Sequence, residues 1–193
     1  MKIIFATNNK NKVEEIKHLS HQKFQIFTLQ EVGIDIDIPE PHDTLEANAT
    51  EKSSTIYKLT NEAVFSEDTG LEVHALGGAP GVKSARYAGE GRNMQDNIDK
   101  LLQELKDKPS RTAQFRTVVS LIIDGKEYQF EGICKGHITH EMDGSNGFGY
   151  DPVFIPEGSN TTFANMDIAE KNKFSNRKKA VQKLIDFLNA YQA

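Results

Sequence analysis

The stretch from residue 113 to residue 130 constrains this chain more than any other. Ala113, Phe115, Val119, Leu121 and Ile123 fall on one side of a two-residue period, with mostly polar neighbours, which is the pattern of a half-buried strand. Asp124-Gly125 follow where a two-residue hairpin turn belongs. Tyr128 and Phe130 continue the alternation on the return strand. A long hairpin cannot bury an apolar face by itself, so the fold must supply more strands or helices to cover it.

The rest of the chain supplies both. Residues 2–7 (KIIFAT) read as a buried strand ending in Asn8-Asn9, good helix-capping residues, and Val13, Ile16 and Leu19 then recur at helical spacing. Residues 24–29 read as a second strand, and residues 34–42, with Pro39 and Pro41, as a loop. Leu45, Ala49, Ile56 and Leu59 fit one helix face. Residues 63–66 (AVFS) form a strand that ends in Glu67-Asp68-Thr69-Gly70, and residues 76–82 form a glycine-rich turn. Met94, Ile98, Leu101, Leu102 and Leu105 mark an amphipathic helix. Residues 146–152 (NGFGYDP) form a loop. A last helix begins near Ser175, with Ala180, Val181, Leu184, Ile185, Leu188 and Tyr191 on its apolar face. Strands and helices alternate before the hairpin takes over, so the expected class is mixed α/β.

Bulk properties narrow the function. The 193 residues suffice for one domain, and 37% hydrophobic with 26% charged is ordinary for a globular chain. A net charge of −5 argues against a nucleic acid polymer as partner, since such proteins carry a basic surplus. Cys134 stands alone, so no intrachain disulfide forms, which suits a reducing cytoplasm; the residue reads as a small group in or near a strand. No targeting or membrane segment is expected, because a span needs ~20 apolar residues and residues 118–123 fall far short.

Chemistry can gather at four places. The opening strand–loop–helix carries Thr7, Asn9, Lys10 and Lys12 at its turn, and a helix N-terminus with added lysines suits phosphate. Glu67-Asp68, with Glu40 from the proline-containing loop, suits a hard cation or a general base. Residues 147–152 (GFGYDP) flank an aromatic with glycines, as a loop closing on a flat ring would. Residues 171–177 (KNKFSNR) place cations and amides before and at a helix start, and Arg177 can offer a forked pair of donors. The histidines, His18, His21, His42, His74, His137 and His140, show no metal-binding or catalytic pattern.

Taken together and in order, these segments resemble the inosine triphosphate pyrophosphatase family, the Ham1-like group that acts on non-standard purine nucleoside triphosphates. The resemblance runs nearly end to end through TNNKNK (7–12), SEDTGLEV (66–73), LGGAPGVKSARYAGE (76–90), GFGYDPVF (147–154) and KNKFSNR (171–177). It implies a single domain over residues 1–193: an α/β fold with a long bent mixed sheet and flanking helices, forming two lobes around a central cleft. It further implies a homodimer, a requirement for Mg²⁺, and hydrolysis of ITP, dITP and XTP to monophosphate and pyrophosphate. By that resemblance the run Thr7, Asn8, Asn9, Lys10, Asn11, Lys12 meets the substrate, with Thr7, Asn9 and Lys12 on the triphosphate, and Lys52 is a further phosphate contact. Glu40 and Asp68 hold the metal, and Asp68 is also the general base. Thr69 adds a substrate contact. Phe148, Gly149, Tyr150 and Asp151 cover the nucleoside, and Lys171, Asn176 and Arg177 meet the base with Arg86 nearby. The match of Glu40 rests on its place in IPEP ahead of TLEANA, and Glu46 is the alternative. The chain departs from the family at Asn176, where a histidine is usual; asparagine donates and accepts hydrogen bonds but does not titrate near neutral pH.

Two other readings stay open at this level. One is a Maf-like nucleotide pyrophosphatase with a different base choice. The other is a nucleotide-binding protein without catalysis.

Overall fold

The computed structural model describes residues 1–19 and 24–191, the side chains of His18 and Leu19 excepted. The expectations for Leu19, His18 and His21 therefore lie outside the described residues. The chain divides into two compact units: Met1–Asp68, Thr117–Gly132 and Arg177–Ala193 make the first, Thr69–Arg116 and Ile133–Asn176 the second.

In chain order the main elements are β1 (Lys2–Phe5), α1 (Lys10–Leu19), β2 (Gln25–Thr28), α2 (Leu45–Thr60), β3 (Val64–Val73), β4 (Pro80–Gly81), α3 (Met94–Glu104), β5 (Thr112–Ile123), β6 (Lys126–Ile138), β7 (Phe154–Pro156), α4 (Ile168–Lys171) and α5 (Asn176–Ala190). The strands run in the order β2–β1–β3–β5–β6–β7, with β4 beside β3. β1 pairs parallel with β2 and β3, while β3–β4 and β6–β7 are antiparallel. The sheet is therefore mixed, and helices carry the parallel crossovers. The expected α/β class with a mixed sheet and flanking helices is what the structure has.

In the first unit, strand alternation sorts the core into two faces. Ile3 and Phe5 of β1 join Ile16 of α1, Phe65 of β3 and Ala180, Val181, Leu184 and Leu188 of α5. Ile4 and Ala6 point the other way, to Ile56 of α2 and Val64 of β3. The register Ile4↔Val64 and Phe5↔Phe65 keeps the faces matched, and the two phenyl rings stack at 4.5 Å. Each such buried side chain contributes ~1.5–3 kcal/mol. In the second unit Ile98 and Leu101 of α3, with Leu105 just beyond it, pack on Leu71, Val73, Ala113, Ile138, Phe154 and Phe163, and the Cys134 thiol is buried among them.

The hairpin turns where expected. Asp124 and Gly125 both have positive φ, 50° and 72°, the pairing that a turn matching the strand twist demands. Three expectations need correction. Glu67 and Asp68 do not end a strand: β3 runs through them to Val73, because cations pair the buried charges and a turn is not needed to expose them. The alternation of β5 fades, since every residue from Thr117 to Ile123 is buried; β3 and β6 flank this strand, so it is internal in the sheet. Leu59 is 62% exposed and Met94 41% exposed, the one in the last turn of α2 and the other at the first position of α3. Among the described residues no helix is long and apolar enough to cross a membrane.

Candidate active site

The turn after β1 is built by its own side chains. Asn9 caps α1, its Oδ1 accepting from the backbone N–H of Asn11 at 3.0 Å and of Lys12 at 3.3 Å. Thr7 Oγ1 accepts from Asn9 N–H at 3.2 Å. Asn8 Nδ2 donates to the Ile36 carbonyl at 2.8 Å, tying the turn to the loop that carries Glu40. Lys10 and Asn11 are exposed, while Lys12 is half-buried and turns inward. A concavity of about 580 Å³ opens beside this turn, with Thr7, Asn8, Lys10 and Lys17 on its wall. It includes none of Glu40, Lys52 or Asp68, so it is not the floor of the chemistry.

Two buried acids follow one another in β3, and the period of a strand sends them to opposite faces. Glu67 takes the α1/α5 side. Its Oε1 accepts from Arg177 Nε at 2.9 Å and lies 3.3 Å from Lys12 Nζ. Arg177 also donates through Nη1 to Glu15 of α1. Burial pushes the Glu67 carboxyl up, but Arg177 and Lys12 outweigh it and hold the group at about 2.

Asp68 takes the α2 side. Lys52 Nζ sits 3.3 Å from Asp68 Oδ1 and 2.5 Å from Glu40 Oε1, bridging the two carboxylates. Burial raises the Asp68 carboxyl above its usual range; Lys52 and Lys12 counter it in part, and Glu40 adds to the rise. Burial works against the Lys52 ammonium, yet Asp68 and Glu40 more than compensate, so its affinity for the proton goes up. Of Glu40 and Glu46, Glu40 is the one in contact with Lys52. Glu46 instead offers its backbone carbonyl to Thr50.

The second unit holds the aromatic loop. Asp151 Oδ2 accepts from Phe148 N–H at 3.0 Å and from Lys171 Nζ at 2.7 Å. The Lys171 ammonium lies 5.2 Å from the centre of the Phe148 ring and 5.3 Å from that of Phe163. Gly147 has φ +75°, and a Cβ there would come within 2.1 Å of Asp151 Oδ2, so only glycine lets the carboxylate close the loop. Tyr150 is buried and donates to the Ser84 carbonyl at 2.8 Å. Burial pushes its phenol up, which keeps the donor proton in place.

The expected residues thus divide. The Thr7–Lys12 turn, Glu40, Lys52, Asp68 and Arg177 belong to the first unit. Thr69, Arg86, Phe148, Gly149, Tyr150, Asp151, Lys171 and Asn176 belong to the second. Within the second, Tyr150 and Asp151 spend their polar atoms on the protein, and Lys171 is bound to Asp151. The sequence reading passed over two residues, Glu67 as an anchor separate from Asp68, and Glu15. Strand parity with Phe65 marks Glu67 as facing α1 and α5, and Glu15 lies three positions after Lys12 on the same helix face.

Among the described residues no group of three or more His, Cys, Asp or Glu side chains is placed to hold a metal ion. A pair of carboxylates such as Glu40 and Asp68 nonetheless fits Mg²⁺, which commonly takes one or two carboxylates and completes its shell with substrate phosphates and water.

A family model described as the Ham1 family matches residues 3–187. The dITP/XTP pyrophosphatase of Flavobacterium johnsoniae is 48% identical, covering 98% of this chain and 99% of that protein. The dITP/XTP pyrophosphatase of Porphyromonas gingivalis is 51% identical, covering 97% of each. The solved structure of the Staphylococcus aureus Ham1 protein superposes with a TM-score of 0.90 at 37% identity and covers both chains completely.

Proposed function

The chain belongs to the Ham1 family, and from that membership and the geometry of its site we infer that it hydrolyses non-standard purine nucleoside triphosphates, dITP, XTP and ITP, to monophosphate and pyrophosphate. It is a nucleoside-triphosphate pyrophosphohydrolase. The observation that carries the mechanism is the buried Asp68 carboxylate and the half-buried Glu40 carboxylate bridged by Lys52, with Lys12 across the strand.

The chain's own groups account for the steps. Lys12 and Lys52 offset the charge of the triphosphate, with the backbone N–H groups of the α1 N-terminus beside them. Asp68 accepts a proton from a water molecule as that water attacks the α-phosphorus. The bond from the α-phosphorus to the bridging oxygen breaks, and pyrophosphate leaves. Glu40 and Asp68 would hold Mg²⁺, which when bound would supply further charge neutralisation on the phosphate oxygens. Arg177, held by Glu67 and Glu15, is the donor assigned to the 6-oxo edge of the base. A donor fixed at that edge leaves adenine, which carries an amino group there, with an unmet partner. Phe148 is assigned to the nucleoside, on a loop that Asp151 and Lys171 hold in shape.

The family resemblance also supports a homodimer in the cytoplasm, which sedimentation of the purified protein and fractionation of cells would test. The central test is product identity. Purified protein with Mg²⁺ is incubated separately with ITP, XTP, GTP, ATP and dTTP. Pyrophosphate from ITP and XTP, with little from ATP or GTP, is expected, and chelation should stop it until Mg²⁺ is restored. Inorganic phosphate as the product would mean that a different bond is cut.

A further inference from the structure

Glu67 has 1% of its surface exposed and points away from the face of β3 that carries Asp68. It is therefore shielded from solvent. One of its oxygens, Oε1, nevertheless serves two cations from distant parts of the chain, Arg177 at 2.9 Å and Lys12 at 3.3 Å. The shorter contact is made by a guanidinium that Glu15 also grips, and Arg177 is itself buried. The longer contact is made by the ammonium of a side chain that is 14% exposed. The arrangement has a buried end and a partly exposed end: the guanidinium pins the carboxylate, and the carboxylate tethers the lysine.

We infer that Glu67 is a positioning residue that aims Lys12 of the first helical turn at the triphosphate. The inference rests on the pyrophosphatase reading above and adds to it a residue that acts only through another. A lysine stem carries several rotatable bonds, and the ammonium of an untethered one samples many places. Held by Glu67, Lys12 has less freedom to lose when phosphate arrives, so the gain appears in binding. A carboxylate at this point also sets the direction of the ammonium, which a neutral amide does more weakly.

The test compares wild-type protein with Glu67→Gln, Glu67→Asp, Lys12→Met and the Glu67→Gln/Lys12→Met double variant, using ITP with Mg²⁺ and reading pyrophosphate. Wild-type release of pyrophosphate is the control: its absence would sink the pyrophosphatase reading itself and is distinct from any result on Glu67. Glu67→Gln should raise KM ~10-fold and Glu67→Asp ~3-fold, with kcat changed by less than ~3-fold, the pattern of lost ground-state binding. In the Lys12→Met background, Glu67→Gln should add less than ~2-fold to KM, because the lysine it positions is gone and Glu15 still holds Arg177. If Glu67 served only the fold, active enzyme and melting temperature would fall while KM stayed put, and that result overturns the proposal. Full additivity with Lys12→Met overturns it as well. Should Glu67→Gln fail to fold, Glu67→Asp decides alone, since it keeps the charge and only retracts it: an unchanged KM there rejects the tether.

Discussion

A carboxyl group whose ionised form is resisted by its surroundings takes up a proton more readily than one in water, and Asp68 is such a group. Burial raises it, the nearby lysines counter only in part, and Glu40 adds its repulsion. Replacing it with asparagine keeps the shape and removes the proton acceptor. Asp68→Asn should lower turnover of ITP by ~10²–10⁴-fold, read as pyrophosphate release. The same change removes a buried charge that the fold resists, and Lys52 keeps Glu40 at 2.5 Å. Its melting temperature should therefore equal or exceed that of the wild type. A variant with near-normal turnover would take Asp68 out of the chemistry. In the sequence the two acids read alike, as neighbours at the end of an apolar run. Asp68 stood out as a candidate base through the SEDTG motif, whereas the separate task proposed for Glu67 did not. That task depends on Arg177, 110 positions away, which no local pattern announces.

Elements show the same division between local and distant causes. The hairpin between β5 and β6 was legible because Asp124-Gly125 encodes its own turn, and the α1 cap because Asn9 reaches only two and three residues ahead. The length of β3 was hidden, since nothing local says that charges at its middle will find partners on α1, α2 and α5. The loop at residues 147–151 was recognised for its aromatic, but its closure by Asp151 and Lys171 depends on a helix 20 positions on. That closure gives a prediction. In Gly147→Ala the added Cβ meets the Asp151 carboxylate, and φ +75° disfavours any side chain. The cost should be ~1–3 kcal/mol of stability, seen as a lower midpoint in urea. If Phe148 meets the nucleoside, KM for ITP should rise more than kcat falls. An unchanged KM with the stability loss present would confine the loop to a structural part.

At the scale of the whole molecule, the fold class and the order of segments were legible because the resemblance spans nearly the entire chain. The way residues from both ends of the chain meet was not. Arg177 reaches back 162 positions to Glu15, so the ionic network joins the first and last chain segments of the first unit. Buried charges tie global stability to pH, and the neighbouring acids Glu67 and Asp68 act with opposite sign. The folded Asp68 carboxyl lies above its unfolded value, so folding gains as pH falls through that interval. The folded Glu67 carboxyl lies at about 2 against 4.5 for an unperturbed group. Its contribution is therefore complete above the unfolded value and is lost as pH falls from about 4.5 toward 2. Protonating it also leaves Arg177 and Lys12 facing one carboxylate fewer in a buried place, which is costly. Urea midpoints measured from pH 7 downward should hold level or rise slightly at first, then drop steeply below about 4.5. Glu67→Gln should start lower at neutral pH and show a shallower acid limb, because the amide has no proton to gain. An acid limb of unchanged steepness in that variant would assign the acid sensitivity to other carboxylates and leave the Glu67–Arg177 pair a minor contributor to stability.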